Sequence, residues 1–106
     1  MNDAFGDREK GFERKYQLDQ EQQFRAQVRR DRLFGQWVAG QLGKAGGDAD
    51  KYAQEVVDSN FEKPGDEDML AKVARDLGGK VADADLKSKL IEFYGQAAQA
   101  ISAEKK

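Results

Sequence analysis

The sequence contains no cysteine and no histidine. Without cysteine there is neither a disulfide nor a thiolate ligand, and without histidine there is no imidazole ligand. The Ser-His and Cys-His nucleophile arrangements are excluded with them. A single proline in 106 residues leaves little to interrupt a helix. No long apolar run occurs, and charged residues stand within the first seven positions. A membrane-spanning helix and a secretory leader are therefore not expected, and a cytoplasmic location is. Charge of one sign is scarce as well. Eighteen Lys and Arg face 20 Asp and Glu for a net charge of −2, and the first 32 residues hold eight bases and seven acids. That balance invites neither nucleic acid nor an anionic membrane.

What remains is 39% hydrophobic and 36% charged, with 11 glycines that punctuate it. The length suits one domain with one modest core. From about Leu18 to Leu42 the chain is rich in Glu, Gln, Arg, Leu and Ala, which predicts one long helix. Its apolar residues crowd the second half (Leu33, Phe34, Trp37, Val38, Leu42), so only that half is expected to be deeply buried, with Trp37 as a core anchor. "GKAGGDAD" ends it, and Asp48 is placed to cap a second helix carrying Ala49, Tyr52, Ala53, Val56, Val57 and Phe61. After "EKPGDED" a third helix carries Met69, Leu70, Val73, Ala74 and Leu77 and stops at Gly78–Gly79. Asp83 is placed to cap a fourth, with Leu86, Leu90, Phe93, Tyr94, Ala97 and Ile101 at helical spacing, and the tail is expected to fray. The expected fold class is all-α: a four-helix bundle-like domain over residues 20–103, a flexible N-terminal arm over 1–19, and a frayed tail over 104–106.

Three stretches look like chemistry. Asp66, Glu67 and Asp68 have the composition of an acid–base pair or a hard-metal site, but carboxylates at a helix start are expected to cap it and meet its dipole, and no catalytic residue or metal ligand is assigned there. "GQLGKAGGD" has the glycine density of a phosphate loop. The earlier glycine such a loop needs falls on Val38, and Ala45 stands where Ser or Thr would hold magnesium, so a helix-to-helix turn is expected. Arg25, Arg29, Arg30 and Arg32 with Phe24 and Phe34 sketch a nucleic-acid stripe, yet the domain is not basic, and partner contact or solvation is the better reading.

The arm differs. In "AFGDREKGFERKYQLDQ" the rings Phe5, Phe12 and Tyr16 are spaced seven and four apart, along one stripe of a helix, while Gly6 and Gly11 each weaken that helix by about 1 kcal/mol. Charge pairs at three- and four-residue spacing return only about 0.2–0.5 kcal/mol each. Alone, the arm is expected to be mostly disordered and to fold on a surface that buries its rings. The competing expectation is a solvated leader whose rings touch its own domain.

Phe5, Asp7, Arg8, Glu9, Phe12, Glu13, Lys15, Tyr16 and Asp19, then Phe24, Arg29–Arg30 and "LFGQWVAGQLGKAG", resemble the zeta subunit family. These are the inhibitor subunits of alphaproteobacterial F1FO ATP synthases. Tyr52, Ala53, Val56, Val57, "NFE" at 60–62 and "GDED" at 65–68 extend the resemblance. It implies a four-helix fold without enzymatic activity or cofactor, peripheral on the membrane-bound synthase. The partners implied are the F1 alpha, beta and gamma subunits, with the arm wedged at a catalytic alpha/beta interface near gamma to block ATP hydrolysis. Carried over by position, the partner-binding residues are Phe5, Asp7, Arg8, Glu9, Phe12, Glu13, Lys15 and Tyr16. The alternative is a non-inhibitory helical interaction module or assembly factor docking through the Trp37 half of the first helix. Binding of a small ligand such as an adenine nucleotide between the helices has no residue pattern behind it.

Overall fold

The computed structural model describes residues 18–61 and 65–104. Among them are four helices: α1 Gln20–Gln41, α2 Gly46–Phe61, α3 Glu67–Leu77 and α4 Asp83–Glu104. α1 starts on a reciprocal cap. The Gln22 amide donates to the Asp19 carboxylate at 2.8 Å, and the Asp19 amide donates to the Gln22 side-chain oxygen at 3.0 Å. It ends at the stretch that resembles a phosphate loop. Gly43 takes a left-handed φ of 79°, the Lys44 amide reaches back to the Ala39 carbonyl at 2.9 Å and the Gly43 amide to that of Gly40 at 3.1 Å. Those two bonds close the helix C-terminus, so the glycines serve a turn between helices.

Helix ends follow the glycines more faithfully than helix starts follow the aspartates. α3 stops at Gly78, left-handed at φ 60°, as expected. Asp48 and Asp83 are not the caps: α2 begins at Gly46, and α4 begins on the Ala82 carbonyl, which accepts from Asp85 and Leu86. Both carboxylates lie within first turns, where they still meet the positive end of the helix dipole. Asp66 stands at the N-cap position of α3 but makes no side-chain cap bond, because its carboxylate is engaged elsewhere. α4 also runs through Glu104, into the stretch expected to fray.

α1 is the hub of the packing, lying against α2 on one side and α4 on the other, while α3 packs mainly on α2. The main core joins Phe34, Val38 and Ala39 of α1 to Tyr52 and Val56 of α2, Met69, Val73 and Leu77 of α3, and Leu86, Leu90 and Phe93 of α4. Phe34, fully buried, is its anchor; Trp37 lies partly buried beside it, its ring stacked on Phe34 at 6.2 Å and the Lys89 ammonium 5.5 Å above it. A second cluster corrects the expectation that the first half of α1 stays shallow. Leu18 and Ala26 pack with Tyr94, Ala97, Ala98 and Ile101 of α4. From within α1 it receives only Ala26, a small residue, which is why the first half of that helix reads as shallow.

α1 and α2 approach closely at Gly35. A Cβ at that position would lie 2.8 Å from the Ala53 Cα and 3.1 Å from the Val56 Cβ, so glycine is required by space.

Candidate partner-binding surface

The partner-binding residues expected from the sequence, Phe5, Asp7, Arg8, Glu9, Phe12, Glu13, Lys15 and Tyr16, lie outside the described residues. The structure does fix where that segment joins the body. Leu18 is buried at 7% exposure against α4, its carbonyl accepts from the Gln23 side chain at 3.0 Å, and the Asp19 cap follows at once. The first described residue is therefore anchored beside the C-terminal half of α4.

Close to that point the surface is unusual. Phe24 and Phe61 are the large hydrophobic residues exposed among those described, at 54% and 55%, and they meet ring to ring at 5.8 Å. Phe61 was expected on the buried stripe of α2; it ends that helix instead, turned toward Phe24. Phe24 also borders a groove of about 560 Å³ whose apolar members are Phe24, Val28, Leu33 and Ile101. Arg25, Arg29 and Arg32 line the same groove. Glu104 accepts from Arg25 at 3.1 Å and from Arg29 at 2.8 Å, and Arg32 donates to the neutral Gln54 side chain at 2.7 Å. Among the described residues, Glu104 is thus the carboxylate that meets two of these three guanidinium groups.

Arg30 does not share that stripe. Its side chain is buried and makes ion pairs with Asp31 at 2.9 Å and with Asp66 at 2.7 Å. Asn60 donates to both of those carboxylates, at 2.8 and 3.1 Å. Burial pushes the Asp31 carboxyl above the usual carboxylate range, against the pull of Arg30 and of the Asn60 hydrogen bond. The network ties α1 and α2 to the start of α3, so Asp66 holds helices together where it was expected to cap one.

A second polar cluster joins α2 to α3. The Tyr52 hydroxyl donates to Asp76 at 2.8 Å, and Lys72 reaches Asp76 at 3.1 Å while its ammonium sits 5.0 Å over the Tyr52 ring. Burial and the Asp76 hydrogen bond push the tyrosine hydroxyl above its ordinary range. For Asp76 burial acts upward, but the bonds from Tyr52 and Lys72 and the Lys72 charge outweigh it and hold the carboxyl below. Among the described residues no group of three or more metal-ligating side chains is gathered, and no helix is long and apolar enough to cross a membrane.

Fold and surface together define an all-α four-helix protein whose described residues carry an exposed ring pair and an arginine-lined groove. The family model for the ATPase inhibitor subunit zeta matches residues 1–100, and the chain belongs to that family. No curated protein matches it. The match includes all eight arm residues named above and agrees with the resemblance drawn from the motifs.

Proposed function

We propose that this chain is the regulatory inhibitor subunit of a bacterial F1FO ATP synthase, and that it suppresses ATP hydrolysis by lodging residues 1–19 at a catalytic alpha/beta interface near gamma. The observation that carries the reading is the reach of the family match, which begins at residue 1 and so includes the arm in the pattern of an inhibitor subunit. The arm's chemistry supports it: Phe5, Phe12 and Tyr16 supply apolar area, at about 1.5–3 kcal/mol for each ring fully buried, and Asp7, Arg8, Glu9, Glu13 and Lys15 supply charges of both signs for the walls of a cleft. A helix too weak to stand alone folds only where its rings are covered, which makes engagement conditional on the partner.

The test keeps the chain whole, since Leu18 belongs to the core and a shortened chain risks exposing it. Wild type and the triple variant Phe5→Ala, Phe12→Ala, Tyr16→Ala are titrated into the cognate F1-ATPase. Wild type is expected to suppress turnover, and the triple variant to need at least tenfold more protein or to fail, consistent with a loss of several kcal/mol of burial. Equal potency would remove the arm from the mechanism. The reading as an interaction module without inhibition predicts binding to the complex and unchanged turnover.

A further inference from the structure

The four-helix body carries a surface that the arm mechanism does not use. We propose that the groove bounded by Phe24, Val28, Leu33 and Ile101 is a second docking site, and that it takes an acidic segment with apolar side chains from the same ATPase headpiece. This rests on the reading of the chain as an inhibitor subunit and adds a foothold for the body.

The composition of the groove sets the chemistry of its occupant. Its apolar members need apolar side chains to cover them, and Phe24 is more than half exposed although large rings are usually buried. Its arginines need carboxylates: Arg25 and Arg29 share Glu104, and among the described residues Arg32 donates to the neutral amide of Gln54. Planar guanidinium groups beside aromatic and aliphatic surface are what protein interfaces favour.

Two other occupants fit less well. Residues 1–17 carry four acids and four bases, so the chain's own arm brings no net charge toward the arginines. A second copy pairing through the same groove sets arginines against arginines. Continuity points to the headpiece. Tyr16 and Phe24 are eight residues apart, and with Gln20 onward helical that stretch spans at most about 20 Å. A partner that holds the end of the arm is therefore within reach of the groove.

Glu104 gives the proposal a signature with a sign. It occupies Arg25 and Arg29 from within the chain, so an acidic partner must displace it. Binding and inhibition of the cognate F1 are measured for full-length wild type, the double variant Arg25→Glu, Arg29→Glu, the single variant Phe24→Ala, and Glu104→Gln, with thermal unfolding reporting that each is folded. The charge-reversed chain and Phe24→Ala are expected to bind about tenfold more weakly yet inhibit fully at saturation. Glu104→Gln is expected to bind two- to fivefold more tightly, because it releases the arginines. The triple arm variant is expected to lose inhibition while still competing with wild type for binding. Groove variants that bind as wild type, or a Glu104→Gln chain that binds no more tightly, overturn the proposal and leave the arm reading standing. Wild type that neither binds nor inhibits overturns both. A photo-crosslinking residue at Val28 is expected to capture an acidic stretch of the headpiece, and capture of residues 1–17 or of a second copy overturns the assignment.

Discussion

Asp31 shows how a single buried side chain shapes the behaviour of this protein in acid. Its carboxyl titrates above the usual range because burial opposes the charge more strongly than Arg30 and Asn60 support it. Between that raised value and the ordinary 3.8, the folded state binds more protons than the unfolded chain. Stability contributed by Asp31 therefore grows as pH falls through this window and is lost as pH rises. Asp76 has the opposite sign, since its carboxyl is held low and its contribution fades on acidification. Wild type thus offsets part of the usual acid loss through Asp31. In Asp31→Asn that offset is gone, and urea unfolding at a series of pH values is expected to show a steeper fall in stability through the window. Parallel profiles for the two proteins would refute it.

The neighbouring arginine was legible in the sequence, although the spacing of the other arginines hid it. Positions 22, 26, 30, 34 and 38 form one four-residue row of α1, and all are buried. Arg30 sits on that row between Ala26 and Phe34, whereas Arg25, Arg29 and Arg32 line the groove. A reading by apolar size alone passes over a row that also holds glutamine, alanine and arginine. The other members of its network, buried Asn60 and half-buried Asp66, come from 30 or more positions away, which no local spacing announces.

At the scale of the element, α1 decides the architecture, and its meeting with α2 depends on the absence of one side chain. Gly35→Ala would bring a methyl within 2.8 Å of the Ala53 backbone, which a packed interior does not absorb freely. Its cost is expected to be about 1–3 kcal/mol, from overpacking, despite alanine's better helix propensity. Chemical denaturation of the variant measures this. Gly40, with open space around it, is the control: Gly40→Ala is expected to be neutral or stabilising. The four helices, their order and their glycine-terminated ends were legible because periodicity and left-handed stops are local signals. The starts of α2 and α4 were less so, because backbone carbonyls in the preceding turn open them ahead of the aspartates that resemble caps.

For the whole molecule, the proposed function assigns stability to the body and engagement to the arm. Leu18→Ala, which cuts into the second core cluster, is expected to lower stability by about 2 kcal/mol or more, while Phe12→Ala in the arm leaves the thermal midpoint of the isolated protein unchanged. Differential scanning calorimetry of the two variants reads the boundary between body and arm. The arm's chemistry was open to inspection in the sequence, since its rings and charges fall within 16 residues. The groove was not, since Ile101 and Glu104 reach the arginines from the far end of the chain.

That antiparallel contact between the start of α1 and the end of α4 brings Leu18 and Glu104 to the same pole of the molecule. A reporter or affinity handle fused behind α4 would crowd Leu18 and the ring pair together. The turns at Gly43–Ala45 and Gly78–Gly79, at the ends of α1 and α3, offer quieter places to label it.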